Sequence, residues 1–254
     1  MPPRVPPQWH SRLRMPPPSP LSGRPWPLSL VWSAPLSPRF EILSLVGGSI
    51  STSASLMCRL GRAVCRVAKV TERDRRHWDD RYRIRTPIRS EDVCLPGPFT
   101  DHADRFPTAG AALELACGTG AVSVWLAGRG LNVRGLDISE VAIAQARKLA
   151  QDNEVGHSCQ FDVVDLDAGL PSGVQADVIC CFHFRDRRLD RAIIDRLAPG
   201  GLLAISVLSE VGAPPGRYRA GRGELTDAFA ELHRIAAGEG GGRAWLLASK
   251  IASE

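Results

Sequence analysis

The stretch from Ala111 to Ser139 holds residues whose types and spacing suit chemistry on a nucleoside. An apolar run leads through Glu114 into Cys117, Gly118, Thr119 and Gly120, and a second apolar run closes on Asp137 and Ile138. Glycines at 118 and 120 would let backbone approach a ligand at the end of a strand, where a Cβ would collide. Asp137 follows Gly118 by 19 positions. That is near the spacing at which an acid ending the second strand of a βαβ unit accepts bonds from ribose hydroxyls. A dinucleotide fingerprint requires a third glycine, but Gly120 is followed by Ala121, Val122 and Ser123. The third glycine of that fingerprint is therefore absent. Asp137 as a mere charge at the start of the next helix, and Glu114 as the partner of an arginine, remain open alternatives.

The elements that must carry these residues follow from hydrophobic periodicity. From Ala111 onward, apolar strands alternate with amphipathic helices, the pattern of a parallel sheet covered on both faces. Strands are expected at Ala111–Ala116, Asn132–Leu136, Ser158–Val164, Ala176–His183 and Leu202–Leu208. Helices are expected at Gly120–Arg129, from Ser139 as N-cap to about Asn153, and at Leu189–Leu197, stopped by Pro199-Gly200-Gly201. A last helix at Gly223–Leu232 precedes a short strand near His233–Ala236, a glycine turn at Gly238–Gly242 and a strand at Ala244–Ser249. Upstream, Thr71-Glu72-Arg73-Asp74 reads as a helix start, and that helix carries His77, Trp78 and Tyr82. Pro87, Pro96, Pro98 and Pro107 then mark an extended connector.

Composition bounds the rest. The 254 residues carry a net charge of +5, but the excess is local. Residues 1–85 hold 14 arginines and Lys69 against five acids, whereas residues 86–254 hold 17 basic and 22 acidic residues. The basic pI thus belongs to the N-terminal third and does not argue for a nucleic-acid partner. Residues 1–38 contain 12 of the 20 prolines and no acid, so 1–56 reads as a disordered extension or a start assigned too far upstream. Residues 57–110 read as an N-terminal helix and connector capping the site, and 111–254 as the core. The apolar patch from Phe40 to Ile50 is too short to span a bilayer, and no other run qualifies. Seven cysteines without a Cys-x-x-Cys favour reduced thiols in a cytoplasmic protein over disulfides or a metal site. Cys180 and Cys181 suit a buried strand.

Four stretches together resemble the class I S-adenosylmethionine-dependent methyltransferases, over residues 71–254. They are Glu114–Gly120, Leu136-Asp137-Ile138-Ser139, Val164-Asp165-Leu166-Asp167, and Leu197-Ala198-Pro199-Gly200-Gly201-Leu202. Trp78-Asp79-Asp80-Arg81-Tyr82 and Arg217 to Leu225 are similar to the small-molecule branch, which includes the tellurite-resistance and thiopurine methyltransferases. The resemblance implies an α/β, Rossmann-like three-layer sandwich with a seven-stranded, mostly parallel sheet and an antiparallel last strand. It also implies S-adenosylmethionine as cofactor and a small-molecule methyl acceptor.

By that resemblance, Gly118, Thr119 and Gly120 border the methionine and ribose portions, Glu114 neighbours the ammonium group and Asp137 takes the ribose hydroxyls. Asp165 accepts from the adenine amino group, or else merely caps a turn. Ile138 and Leu166 sandwich the ring, while Cys117 and Cys181 line the site. Trp78 and Tyr82 lie over the cofactor as a lid or serve only as packing. His183, at the carboxyl end of strand four, stands where open α/β sheets meet substrates and is a candidate to deprotonate the acceptor. The arginines at 185, 187 and 188 and between 217 and 222 either attract an anionic acceptor or form a solvated surface. After strand four the chain reads Cys181-Phe182-His183-Phe184, not the Asn/Asp-Pro-Pro-Tyr of enzymes that methylate DNA amino groups or glutamine. The competing readings are an NAD(P)-dependent oxidoreductase, an RNA methyltransferase with a basic arm, and a non-catalytic nucleoside-binding module.

Overall fold

The computed structural model describes residues 72–216 and 219–252. The expectations for residues 1–71, including the cap at Thr71, and for Arg217 and Tyr218 lie outside the described residues. Residues 72–83 form helix α1, supported on its exposed side by Glu72 bonding Arg75 and Arg76 one turn on. A short helix, α2 (Gly97–Thr100), follows in the proline-rich connector and buries Phe99.

The sheet begins at β1 (Ala111–Leu115), and α3 (Ala121–Gly128) leads to β2 (Asn132–Asp137). Helix α4 (Glu140–Asp152) leads to β3 (Cys159–Val163), then β4 (Ala176–Phe182), α5 (Asp190–Arg196) and β5 (Leu197–Leu208). The chain closes with α6 (Glu224–Ala228), β6 (His233–Gly240) and β7 (Arg243–Ser249). The seven strands run in the order β3-β2-β1-β4-β5-β7-β6. β1 to β5 pair in parallel, and β7 inserts antiparallel to both β5 and β6. The chain reverses its direction of travel across the sheet between β1 and β4, and the carboxyl ends of those strands form the crevice of a doubly wound fold.

Alternate residues of each strand point to opposite faces, and both faces are covered. On one, Leu113, Ile179, Leu203 and Ile205 pack with Ile193 and Ile194 of α5 and Leu225 of α6. On the other, Ala112, Val178, Cys180 and Ala204 meet Val122 and Leu126 of α3 and Phe99. Ile143, Ala146 and Leu149 of α4 close over Phe161. The result is a Rossmann-like three-layer sandwich.

Three boundaries differ from expectation: α6 ends at Ala228 rather than Leu232, where the chain opens into turns, and two others shift for stated reasons. β5 starts at Leu197, which pairs with Ala176; the register then shifts and pairing resumes at Leu202 with Val178. Pro199-Gly200-Gly201 is therefore a bulge inside the strand, with Gly201 so close to the carbonyls of Ala198 and Ala176 that a Cβ would lie 2.8 and 3.0 Å from them. β6 runs on through Gly238 to Gly240 and leaves the turn to Gly241 and Gly242. Gly238 is a strand residue because the Trp245 indole fills the space of its side chain, 2.4 Å from where a Cβ would stand.

Helix α1 is clamped to the core through its one fully buried acid. Asp79 Oδ1 accepts from the Ser139 hydroxyl at 2.6 Å and from the Val141 N–H at 3.3 Å. Arg75 reaches its other oxygen at 3.1 Å. Ser139 in turn caps α4 by accepting from the Ala142 N–H at 3.1 Å. The acid thus sits on the positive end of α4 and completes the capping of its first turn. Asp79→Ala is expected to leave that hydroxyl and N–H without an acceptor and to cost about 2–3 kcal/mol in urea unfolding. It should also speed proteolytic cutting between residues 84 and 95, and an unchanged unfolding midpoint would disprove the clamp.

Candidate active site

β1 ends in a turn whose backbone is unusual at three positions: Ala116, Gly118 and Gly120 have φ of 51°, 54° and 78°. The Cys117 N–H bonds the Leu136 carbonyl of β2 at 2.9 Å, and the Gly120 N–H closes the turn on Cys117. The two glycines serve different neighbours. A Cβ on Gly120 would lie 2.8 Å from Ala146 Cβ and 3.2 Å from a Phe161 ring carbon. Its missing side chain therefore admits α4 and β3 against the turn. A Cβ on Gly118 would lie 2.8 Å from the Tyr82 hydroxyl, so α1 roofs the turn at that residue. Thr119 between them is half-buried.

Two buried carboxyl groups border the turn. Asp137, at the end of β2, accepts from the Gly118 N–H on Oδ2 at 2.8 Å and from the Ser139 N–H on Oδ1 at 2.9 Å. Burial pushes its pKa above the usual carboxylate range against the pull of those N–H groups, and the nearby charge of Asp79 adds to the rise. Glu114 is buried in β1, where its Oε2 accepts from the Ser123 hydroxyl of α3 at 2.5 Å. Burial raises its pKa to about 8, opposed by the Ser123 side chain and backbone bonds and assisted by the charge of Asp137. Its partner is a serine, so the arginine alternative does not hold.

The other candidate residues divide. Tyr82 is buried beside the turn, its hydroxyl pKa raised by burial and then by Asp137, while Trp78 lies half-exposed with its ring 6.1 Å from that of Tyr82. Ile138 is half-buried beyond β2. Asp165 follows β3 and caps a turn by accepting from the Asp167 N–H at 2.9 Å. Leu166 is buried in the apolar cluster with Leu136 and Leu189. Cys181 is likewise a core residue whose thiol burial pushes up to about 12, and burial pushes Cys117 well above the ordinary thiol value. Neither is a nucleophile at neutral pH.

His183 directly follows β4, and its N–H continues the ladder to the Ser206 carbonyl at 2.8 Å. Its φ of 63° is rare outside glycine and turns the ring toward the carboxyl edge of the sheet. Its Nδ1 stands 3.2 Å from Nη1 of Arg243, at the start of β7. That contact engages a nitrogen that a proton acceptor would use. Partial desolvation, and then the charges of Arg243 and Arg85, lower the pKa of the ring.

Four of the arginines singled out in the sequence are committed elsewhere. Arg185 bonds Asp190 and Glu224, Arg187 bonds Glu224, and Arg188 bonds Asp186 and Asp167. Arg219 donates to the carbonyls of Ser209 and Gly242. Sequence reasoning missed the clamp at Asp79, the strained Ala116, and Arg85 and Arg243. Asp79 stood inside the quoted Trp78–Tyr82 stretch and Ser139 was read as an N-cap, but nothing local links residues 60 positions apart. Among the described residues no helix is long and apolar enough to cross a membrane, and no group of three His, Cys, Asp or Glu could hold a metal ion.

Comparison with known proteins agrees with this geometry. Residues 112–201 match the family model described as a methyltransferase domain. YqeM of Bacillus subtilis (strain 168), named as a methyltransferase, is 31% identical over 110 residues, covering 41% of this chain and 44% of YqeM. Glycine N-methyltransferase of Rattus norvegicus is 28% identical over 139 residues, covering 45% of this chain and 47% of the rat protein. The chain spans less than half the length of the curated relatives it matches. The crystal structure of TehB from Haemophilus influenzae superposes with a TM-score of 0.56 at 19% identity, over 63% of this chain and 64% of TehB, a likeness of fold.

Glu114 makes stability depend on pH. Its folded value of about 8 lies above the ordinary 4.5, so the folded state keeps a proton that the unfolded chain gives up. The resulting stabilisation, roughly 3–5 kcal/mol, is complete below the ordinary value and is lost as pH rises through the folded one. Glu114→Gln is expected to flatten the fall in unfolding free energy between about pH 5 and 8 in urea titrations. A variant with the wild-type slope would refute the assignment.

Proposed function

We propose that this chain, whose residues 112–201 belong to the methyltransferase-domain family and lie in a class I methyltransferase fold, is an S-adenosylmethionine-dependent enzyme that methylates a small molecule. The observation that carries this reading is the setting of Asp137. Its carboxylate is buried at the carboxyl end of β2, with one backbone N–H on each oxygen. A carboxylate has about four acceptor positions, so each oxygen retains capacity for a ribose hydroxyl. The residues nearby fit the same group. The turn at Gly118 and Thr119 would face the methionine and ribose portions, and Glu114 would neighbour the ammonium group. Asp165, just beyond β3, would meet the adenine amino group beside Ile138, with Tyr82 and Trp78 of α1 as the roof.

When bound, S-adenosylmethionine supplies an electrophilic methyl group on a sulfonium centre. The chain's task is then to align the acceptor with that methyl group and keep water out, and neither needs a covalent intermediate. The clamped α1 does both, because Tyr82 closes on Gly118 while the carboxyl ends of β4 and β5 stay available to an acceptor. The absence of Asn/Asp-Pro-Pro-Tyr after β4 and the relative named for glycine methylation support a small molecule. Residues 72–110 act as the cap and 111–252 as the catalytic core, and the free thiols suit a cytoplasmic setting.

Calorimetry with S-adenosylhomocysteine tests the reading. The protein is expected to bind it, and Asp137→Ala to weaken binding at least tenfold, with Asp137→Asn intermediate because it keeps the turn's shape. Binding of a nicotinamide dinucleotide in its place would overturn the cofactor assignment. Unchanged affinity in the alanine variant would overturn the ribose contact.

A further inference from the structure

Arg243 meets His183 at the carboxyl edge of the sheet, and the charge of Arg85, from a distant part of the chain, acts on the same ring. Arg85 lies just beyond α1, with its guanidinium 5.6 Å over the Tyr82 ring. His183 ends β4, and Arg243 begins β7 beside the end of β5, where it pairs with Leu208. Among the described residues neither Arg85 nor Arg243 forms an ion pair, in contrast to Arg185, Arg187 and Arg188 nearby.

The contact between Arg243 and His183 fixes which ring nitrogen does what. A guanidinium has only donors, so Arg243 donates and Nδ1 of His183 accepts. The hydrogen of the neutral ring then resides on Nε2. His183 is in this arrangement a hydrogen-bond donor, and its lowered pKa keeps it neutral near pH 7. The left-handed backbone at His183, costly for a residue with a Cβ, holds the ring in this position.

We infer that this cluster is the acceptor subsite and that it takes a carboxylate, held by Arg85, Arg243 and Nε2–H of His183. Guanidinium groups match a carboxylate in planarity and can engage both of its oxygens, and a third donor completes its coordination. This rests on the reading of the site as a methyltransferase and names its substrate class: small acceptors that carry a carboxylate near the atom to be methylated. His183 is accordingly a positioning group for that anion rather than the base.

Benzoate and its neutral isostere benzamide are suitable probes, titrated by ligand-observed NMR at fixed ionic strength, with and without S-adenosylhomocysteine. Benzoate is expected to bind at least tenfold more tightly than benzamide. Arg243→Gln and Arg85→Gln should each weaken benzoate at least fivefold, Arg243→Lys should restore part of the loss, and Arg191→Gln, on a remote ion pair, should change nothing. Equal binding of the two probes, or benzoate affinity indifferent to both glutamine variants, would overturn the proposal. Failure of S-adenosylhomocysteine to bind is seen separately and counts against the cofactor reading, because the benzoate arm is also run without it.

Discussion

Burying a carboxylate is costly unless its oxygens find donors, and this fold meets the cost for two of them at the start of a single helix. The first turn of α4 has N–H groups without partners inside the helix. Ser139 N–H goes to Asp137, Val141 N–H to Asp79, and the Ser139 hydroxyl bridges from its own capping bond to Asp79. The positive end of α4 then stabilises both charges. Everything at the carboxyl edge hangs from this point. Asp137 draws in the Gly118 N–H and so shapes the turn after β1, and Asp79 brings α1 down so that Tyr82 lies against Gly118. One helix terminus thereby joins β2, the β1 turn and a helix that precedes the sheet in the chain.

The strands and long helices were legible because their signal is periodic and local. β4 is apolar from Val178 to Phe182 since both its faces are covered, and α4 announces itself through Ser139 and a regular apolar stripe. Where glycine alone was the cue, the local arrangement was not legible, and the reason is the same in each case. Glycine marks a place where a side chain will not fit, and the sequence does not say what excludes it. At Gly238 the obstacle is the Trp245 indole inside a strand, and at Gly120 it is the body of Ala146 and Phe161. Only at Gly118, under the Tyr82 hydroxyl, does the gap border the candidate site.

The site itself was half legible for a related reason. Glu114, Gly118 and Asp137 belong to one βαβ unit, so their geometry follows from a short span of chain. Leu166, in the turn after β3, and Cys181, in β4, have the right sequence neighbours, and both are buried in the apolar core. Arg85, His183 and Arg243 carry no shared local pattern, and only the insertion of β7 beside β5 brings the last two within bonding distance. Counting arginines would have pointed to residues 185 to 188, whose charges are neutralised by Asp186, Asp190 and Glu224.

The crevice is therefore divided electrostatically along the line where the sheet reverses its order. On the side of β1 and β2 stand Asp137 and Asp79, with the protonated Glu114 behind them, and on the side of β4, β5 and β7 stand His183 and Arg243, with Arg85 over the Tyr82 ring. On the reading proposed above, a donor that carries a sulfonium and an ammonium group would be favoured by the first half, and an anionic acceptor by the second. Tyr82 lies at the division, its hydroxyl at Gly118 and its ring under Arg85. The clamp on α1 then has two consequences from one set of hydrogen bonds. It places the ring that covers the donor turn, and it sets the position of an arginine that faces the acceptor.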